Sequence, residues 1–278
     1  VPSISIVAPA YNEEKTIVDN VRSLLNMDYP KFEVCIVNDG SKDKTLELLI
    51  NTFDLVEVPF DYVQKVHCAP FKRMFKSTNI NYSKLVVVDK ENGGTKADAV
   101  NGGLNVIENP YFINTDVDCI LSKDAMYQCI FPVITDESII AVSGTMSMSN
   151  GSTIDNGELV DIRPSNRPIP LFQDLEYKRS FLVGKMGWSK INAMNNVSGG
   201  YGLFSTEVVI NAGGYSSSSF AEDMDMITRM IAYCCDFNRK YRVVQIPHTC
   251  CWTEGPSTLH MLYRQRTRWG RGLIQTMW

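Results

Sequence analysis

Two carboxylates spaced i and i+2, Asp116 and Asp118, close the apolar run 111–113. That run reads as a strand. If the backbone stays extended through the pair, both side chains leave it on one side. Two carboxylates on one side repel each other unless a cation lies between or beside them. Mg²⁺ suits such a pair where the substrate is a phosphate, because one or two carboxylates, waters and phosphate oxygens complete its octahedron. Asp-x-Asp is also common in turns, so the pair takes its meaning from its company. Three further groups keep that company: Asp39 in the sequence Asn38-Asp39-Gly40-Ser41, the acidic pair Glu222-Asp223, and the stretch Gln265-Arg-Thr-Arg-Trp269.

Elements of two kinds must position these groups. Residues 3–8 (S-I-S-I-V-A) form an apolar strand, ended by Pro9, with Asn12 as the cap of a helix in which Ile17, Val21 and Leu24 recur at helical spacing. Residues 32–37 form a second strand that closes on Asp39, and a helix carrying Leu46, Leu49 and Ile50 on one face follows. This β-α-β-α order opens a doubly wound parallel sheet, where ligands bind beyond the carboxyl ends of the strands. Residues 53–83 show no clear period and read as a strand plus an irregular insertion. Further along come a strand at 85–88, a helix from Lys96 and, after Asp118, a helix capped by Ser122. A strand at 139–146, a polar loop at 150–170 and a helix at 172–186 come next. They lead to a helix at 224–233, a strand at 242–246 and a long C-terminal helix from Ser257 to Trp278. Residues 1–278 read as one domain, with a nucleotide-binding half at 1–118 and an acceptor-binding half at 119–278.

Composition removes several classes. A net charge of −4 in 278 residues argues against a general nucleic-acid binder. No run reaches the ~18 apolar residues of a membrane helix. Eight cysteines include no C-x-x-C, so the common zinc and thioredoxin patterns are missing, and buried reduced thiols of a cytosolic domain are expected. There is no G-x-G-x-x-G after the first strand and no G-x-x-x-x-G-K-[ST], which removes the dinucleotide and P-loop readings. Val1 opens almost on a strand and Trp278 ends an apolar-basic run, so the chain reads as part of something longer.

Taken in order, Asn38-Asp39-Gly40-Ser41, Lys96-Ala-Asp98-Ala, Asp116-Val-Asp118, Glu222-Asp223, Thr253-Glu254 and Gln265-Arg-Thr-Arg-Trp269 resemble the family-2 glycosyltransferases. The resemblance runs from residue 3 to residue 272. It is strongest to the processive branch that makes cellulose, hyaluronan and poly-N-acetylglucosamine, with Phe172-Gln-Asp-Leu-Glu-Tyr177 and Ser198-Gly-Gly-Tyr-Gly on the last two's side. It implies an α/β, Rossmann-like GT-A fold with a mixed, mostly parallel sheet flanked by helices. It also implies inverting sugar transfer from a UDP-sugar, with UDP-N-acetylglucosamine as first choice, to a growing β-linked glycan.

Under that resemblance Asp39 accepts hydrogen bonds from uracil or ribose, and Lys96 and Asp98 lie toward the diphosphate. Lys96 either pairs with phosphate or is an ordinary solvated lysine. Asp116 and Asp118 hold Mg²⁺ or Mn²⁺, with Asp118 the direct ligand. Asp223 is the general base, and Glu222 is its neighbour. Gln265, Arg268 and Trp269 cover the donor; Arg268 faces the departing charge, and Trp269 either stacks on a sugar or packs in the core. Lys185 stands where the family more often has arginine. The implied location is the cytoplasmic face of the plasma membrane, held by membrane segments outside this chain. Two rivals remain: a transferase that adds a single sugar, and an inactive nucleotide-sugar-binding module.

Overall fold

The computed structural model describes residues 1–155 and 157–277, without the side chain of Met277. The chain runs β1 (Ile4–Ala10), α1 (Ile17–Leu25), β2 (Phe32–Asp39), α2 (Thr45–Thr52), β3 (Leu55–Val58), β4 (Phe71–Ser77), β5 (Leu85–Lys90), α3 (Lys96–Val106) and β6 (Tyr111–Thr115). It continues through β7 (Ile120–Leu121), α4 (Ala125–Thr135), β8 (Ile139–Met148), a hairpin of β9 (Thr153–Asp155) and β10 (Glu158–Asp161), and α5 (Pro168–Arg179). A π-helical turn (Ser180–Lys185) joins α5 to α6 (Met186–Lys190). The chain closes with β11 (Tyr201–Ser205), α7 (Thr206–Asn211), α8 (Glu222–Asp236), β12 (Arg242–Thr253) and α9 (Leu259–Met277).

Ten strands form one sheet in the order β3-β4-β5-β2-β1-β6-β11-β8-β12-β7. Its centre, β5-β2-β1-β6, is parallel. β11 enters antiparallel between β6 and β8, so the sheet is continuous across the two expected halves. Strand periodicity divides the core. In β1 and β2, Ile4, Ile6, Ala8, Val34 and Ile36 pack with α1, α2 and α4, while Val7, Cys35 and Val37 pack with α3, α7 and α8. Parity then aims the strand ends. Asp39 follows Cys35 and Val37, and Lys90 follows Val88, so both belong to the face that α3 covers.

The structure corrects several local expectations. Asn12 does not cap α1. It takes a left-handed φ of 58° and its Oδ1 accepts from the Lys42 amide at 2.8 Å, pinning the β1 turn to the β2 turn; the helix starts five residues on, after Thr16. At α4 the cap position is Asp124, and it is the carbonyl of Ser122, not its hydroxyl, that accepts from the Ala125 amide. Residues 150–170 are not one loop but carry the β9–β10 hairpin and the start of α5. The helix expected at 172–186 spans 168–190 in three segments, with a π turn inside. β12 runs on to Thr253, and its register shifts between Gln245 and Thr249 leave Pro247 outside the ladder, where it needs no amide hydrogen. The last residue of the expected C-terminal helix, Trp278, lies outside the described residues.

Candidate active site at the strand ends

The carboxyl ends of β1, β2, β5 and β6 open on a cleft of about 440 Å³. The β1 loop supplies Tyr11 and Glu13, β2 supplies Asp39, the β5–α3 loop supplies Asn92, Gly94 and Thr95, and Lys96 and Asp116 form the far side.

Asp39 is held from behind. Lys90, fully buried at the end of β5, donates from Nζ to Asp39 Oδ1 and to Asp98 Oδ1, both at 2.5 Å, and to the Glu91 carbonyl at 2.8 Å. The Gly93 amide donates to Asp39 Oδ1 at 3.1 Å. Gly93 is required by this closeness, since a Cβ there would lie 1.9 Å from Asp98 Oδ1. Asp98 therefore faces inward, toward Lys90 and the Ala69 amide, and does not line the cleft. The sequence alone does not mark Lys90. A lysine closing a V-V-V-D-K strand reads as solvated, and only the parity it shares with Asp39 points to its burial.

The Asp116–Asp118 pair does not continue the strand. β6 stops at Thr115, and the Cys119 amide donates to the Asp116 carbonyl at 3.1 Å, closing a turn. Val117 drops into the core. The turn, not an extended backbone, brings the carboxylates together: one ligand atom each from Asp116, Asp118 and Cys119 lie within 4.8 Å of one another. One cation is already accommodated here, since the Lys96 ammonium pairs with Asp116. Gly200 packs beside the corner, where a Cβ would meet the Met146 methyl at 2.8 Å, with Asp116 Oδ2 and Cys119 Sγ at contact distance. Asp118 is itself exposed, but the loss of water on its protein side and the charge of Asp116 hold it above the usual carboxylate range. Glu13 is raised by burial and by the charges of Asp118, Asp43 and Asp116, which makes this corner strongly electronegative. Burial opposes the Lys96 ammonium, but Asp116 outweighs it and keeps Lys96 above its ordinary value.

Asp223 lies in the first turn of α8. Its Oδ2 accepts from Asn196 Nδ2 and the Gly199 amide, each at 3.1 Å, and its Oδ1 accepts from the Met224 amide at 2.8 Å. The Gly199 carbonyl accepts from Lys96 Nζ at 2.6 Å and from Asn114 Nδ2 at 3.2 Å. One residue thus ties the Asp116 corner to Asp223. Burial, then the charge of Asp223, raises Glu222, while Lys96 and Arg268 pull it back.

The C-terminal stretch is less central. α9 is pinned before Glu222: the Phe220 amide donates to Gln275 Oε1 at 2.9 Å, and Gln275 Nε2 donates to the Ser218 carbonyl at 2.8 Å. Gln265 buries an Oε1 that meets no protein donor. Arg268 lines a separate pocket with Phe220 and Tyr263, outside the main cleft, though its charge reaches Glu222. Trp269 lies under the Arg266 guanidinium at 4.4 Å, and Arg266 pairs with Glu176 of α5. Trp269 does not line the main cleft either.

Lys185 closes the π turn with Nζ 4.5 Å from the Phe181 ring centroid. Burial lowers it to about 8 from 10.5, against the pull of Asp223. The folded state therefore binds fewer protons than the unfolded chain between pH 8 and 10.5, and stability rises with pH across that window. Lys185→Met should raise the urea-unfolding free energy at pH 7 by on the order of 2 kcal/mol. The gain should be full below pH 8 and fade toward pH 10.5. An equal gain at pH 7 and 10.5 would show that the ammonium carries no such cost.

The fold is that of a GT-A glycosyltransferase. Two solved structures overlay nearly the whole chain: the mannosyltransferase PcManGT of Pyrobaculum calidifontis in complex with GDP-Man and Mn²⁺, and Staphylococcus aureus TarS 1–349 in complex with UDP-GlcNAc. PcManGT gives a TM-score of 0.67 at 20% identity, over 99% of this chain and 63% of that one. TarS gives 0.59 at 17%, over 94% and 60%. Residues 2–272 match the family described as Glycosyltransferase like family 2, and the chain belongs to that family. Among curated proteins it is 29% identical over 270 residues to the poly-beta-1,6-N-acetyl-D-glucosamine synthase of S. aureus strain COL, covering 97% of this chain and 54% of that protein. It is 27% identical over 282 residues to the synthase of the same name from S. epidermidis, covering 57% of it. The chain thus spans a little over half the length of these relatives.

Proposed function

We propose that this domain transfers N-acetylglucosamine from UDP-N-acetylglucosamine to a hydroxyl of a growing β-linked glycan, with inversion. The observation that carries the reading is the Gly199 bridge. Its carbonyl meets Lys96, which pairs with Asp116, and its amide meets Asp223. A donor diphosphate at Asp116 would then present its sugar toward Asp223. The relatives named for poly-N-acetylglucosamine synthesis and the UDP-GlcNAc complex of TarS support the choice of donor.

In this reading Asp39, braced by Lys90, accepts from the uracil or ribose. Asp116 and Asp118 would hold a divalent ion, which when bound offsets diphosphate charge. Asp223 takes the proton of the acceptor hydroxyl as its oxygen bonds to the anomeric carbon and the bond from that carbon to the diphosphate oxygen breaks. Oδ2 of Asp223 already accepts two hydrogen bonds and Oδ1 only one, so Oδ1 keeps the lone pair for that proton. Arg268, whose charge already reaches Glu222, offsets the charge of the departing UDP, with Gln265 and Trp269 beside it on α9. Repeated addition is supported by the relatives named as poly-beta-1,6-N-acetyl-D-glucosamine synthases.

Among the described residues no helix is long and apolar enough to cross a membrane. We place the domain at the cytoplasmic face of the plasma membrane through segments outside this chain. The support is α9, with Arg264, Arg266, Arg268 and Arg271 beside exposed Leu259, Leu273 and Ile274, a combination suited to a headgroup layer.

Two measurements test the reading. UDP release from a panel of UDP-sugars, using the membrane-restored enzyme, should be highest with UDP-N-acetylglucosamine; a clear preference for another sugar overturns the donor assignment. Calorimetry of UDP binding should show a need for Mg²⁺ or Mn²⁺ that Asp116→Asn and Asp118→Asn each weaken. Equal affinity in EDTA would sink the carboxylate clamp.

A further inference from the structure

The Asp116–Asp118 corner has a third potential ligand that a hard-ion site does not need. Mg²⁺ sites are built from oxygen, whereas a thiolate selects softer ions such as Zn²⁺ and Cd²⁺. Cys119 Sγ belongs to the same cluster as the two carboxylates, all within 4.8 Å. The Asp116–Cys119 turn brings Cys119 back beside Asp116. Asp116 Oδ2 and Cys119 Sγ both pack beside Gly200, 3.4 and 3.6 Å from where a Cβ would stand. Around one ion with oxygen and sulfur at about 2.1 and 2.3 Å, two ligand atoms stand at most about 4.4 Å apart. Closing the observed span around one ion requires Asp116 to leave Lys96 and Cys119 Sγ to turn from Cys251.

We propose that Cys119 is a third protein ligand at the Asp116–Asp118 corner, making it a binding site for thiophilic divalent ions. The inference rests on the reading of Asp116 and Asp118 as a cation clamp and adds the thiol to it. On coordination the thiol proton leaves to solvent and the sulfur lone pair bonds the ion. Two carboxylates and a thiolate bring three negative charges against two positive ones. An ion held by all three has little charge left for a diphosphate. Zn²⁺ or Cd²⁺ should therefore compete with nucleotide binding, whereas Mg²⁺ and Mn²⁺, which leave the thiol protonated, should not.

Zn²⁺ outbinds Mg²⁺ at most sites, so that preference alone decides nothing. The deciding probe is Co²⁺ added to the full chain, read by its sulfur-to-metal charge-transfer absorption. The band should appear in the parent protein, vanish in Cys119→Ser, weaken in Asp118→Asn and survive in Cys251→Ser, which removes a neighbouring thiol. Cd²⁺ affinity should fall about tenfold or more in Cys119→Ser, since even outer-shell losses cost ~10-fold, while Mg²⁺ affinity should stay within about twofold. Absence of the band in the parent protein, or its survival in Cys119→Ser, overturns the proposal. Should Cys119→Ser not fold, X-ray absorption of the Zn²⁺-loaded parent serves instead: one sulfur at ~2.3 Å is expected, and an all-oxygen shell refutes it. If UDP binding needs Mn²⁺ but no sulfur signal appears, the clamp stands and the thiol ligand falls. If the sulfur signal appears but UDP binding ignores Mn²⁺, the clamp reading falls alone.

Discussion

Asp223→Asn should cost ~10²-fold or more in turnover, the usual contribution of a positioned base, while UDP affinity changes less than about threefold. The amide keeps the shape of the carboxylate, and its oxygen can still accept from Asn196 and Gly199, so the loop that meets Lys96 should hold. What is lost is the capacity to take a proton. A group used only in the transition state lowers kcat and kcat/KM together and leaves ground-state binding alone. Steady-state UDP release paired with UDP calorimetry on the same preparation makes the check. A variant retaining more than about a tenth of parent turnover would remove Asp223 from the role of base.

Lys90→Met should be the most damaging single change to the fold of the donor side. Lys90 is fully buried, and Asp39 and Asp98 are 5% and 6% exposed. Removing the ammonium leaves two adjacent carboxylates buried with no counter-charge. Breaking a buried ion pair from one side costs about 3–5 kcal/mol, which in a chain of this size lowers the melting temperature by about 10 °C. The triple variant Lys90→Met, Asp39→Asn, Asp98→Asn should recover most of the loss, because the charges leave together. Thermal melts of parent, single and triple variants separate charge imbalance from lost packing. A single variant melting within 2 °C of the parent, on the order of 1 kcal/mol or less, would refute the account.

The strands and their end carboxylates were legible because burial on both faces writes near-continuous apolar runs, and a polar residue closing such a run stands out. Asp39, at the end of F-E-V-C-I-V-N-D, is the clear case. Lys90 was illegible for the opposite reason. Its meaning depends on Asp39, 51 residues away, and on Asp98, across a loop. The β3–β4 hairpin hid because β4 is half exposed, with lysine and arginine on its outer positions, and carries no clean alternation. Asn12 fitted a capping pattern but was drawn away by the Lys42 amide, a tertiary contact no local rule foresees. The i, i+2 spacing of Asp116 and Asp118 suits an extended geometry that the pair does not adopt. The spacing served a tight turn equally well. For Arg268 and Trp269 the motif names the residues but not how α9 packs, and neither lines the main cleft.

Gly199 carries a last consequence. Lys96 holds both Asp116 and the Gly199 carbonyl, so whatever draws Lys96 off Asp116 also loads or frees the loop that fixes Asp223. Two ligands that compete for the same loop posture are thermodynamically linked, and linkage is reciprocal. The factor by which a bound donor nucleotide alters acceptor affinity must equal the factor by which a bound acceptor alters nucleotide affinity. A non-reacting glycan should therefore shift the dissociation constant of the nucleotide, and the shift should collapse in Lys96→Met. The strength of the coupling between the two substrates then becomes a property of one glycine and the lysine that grips it.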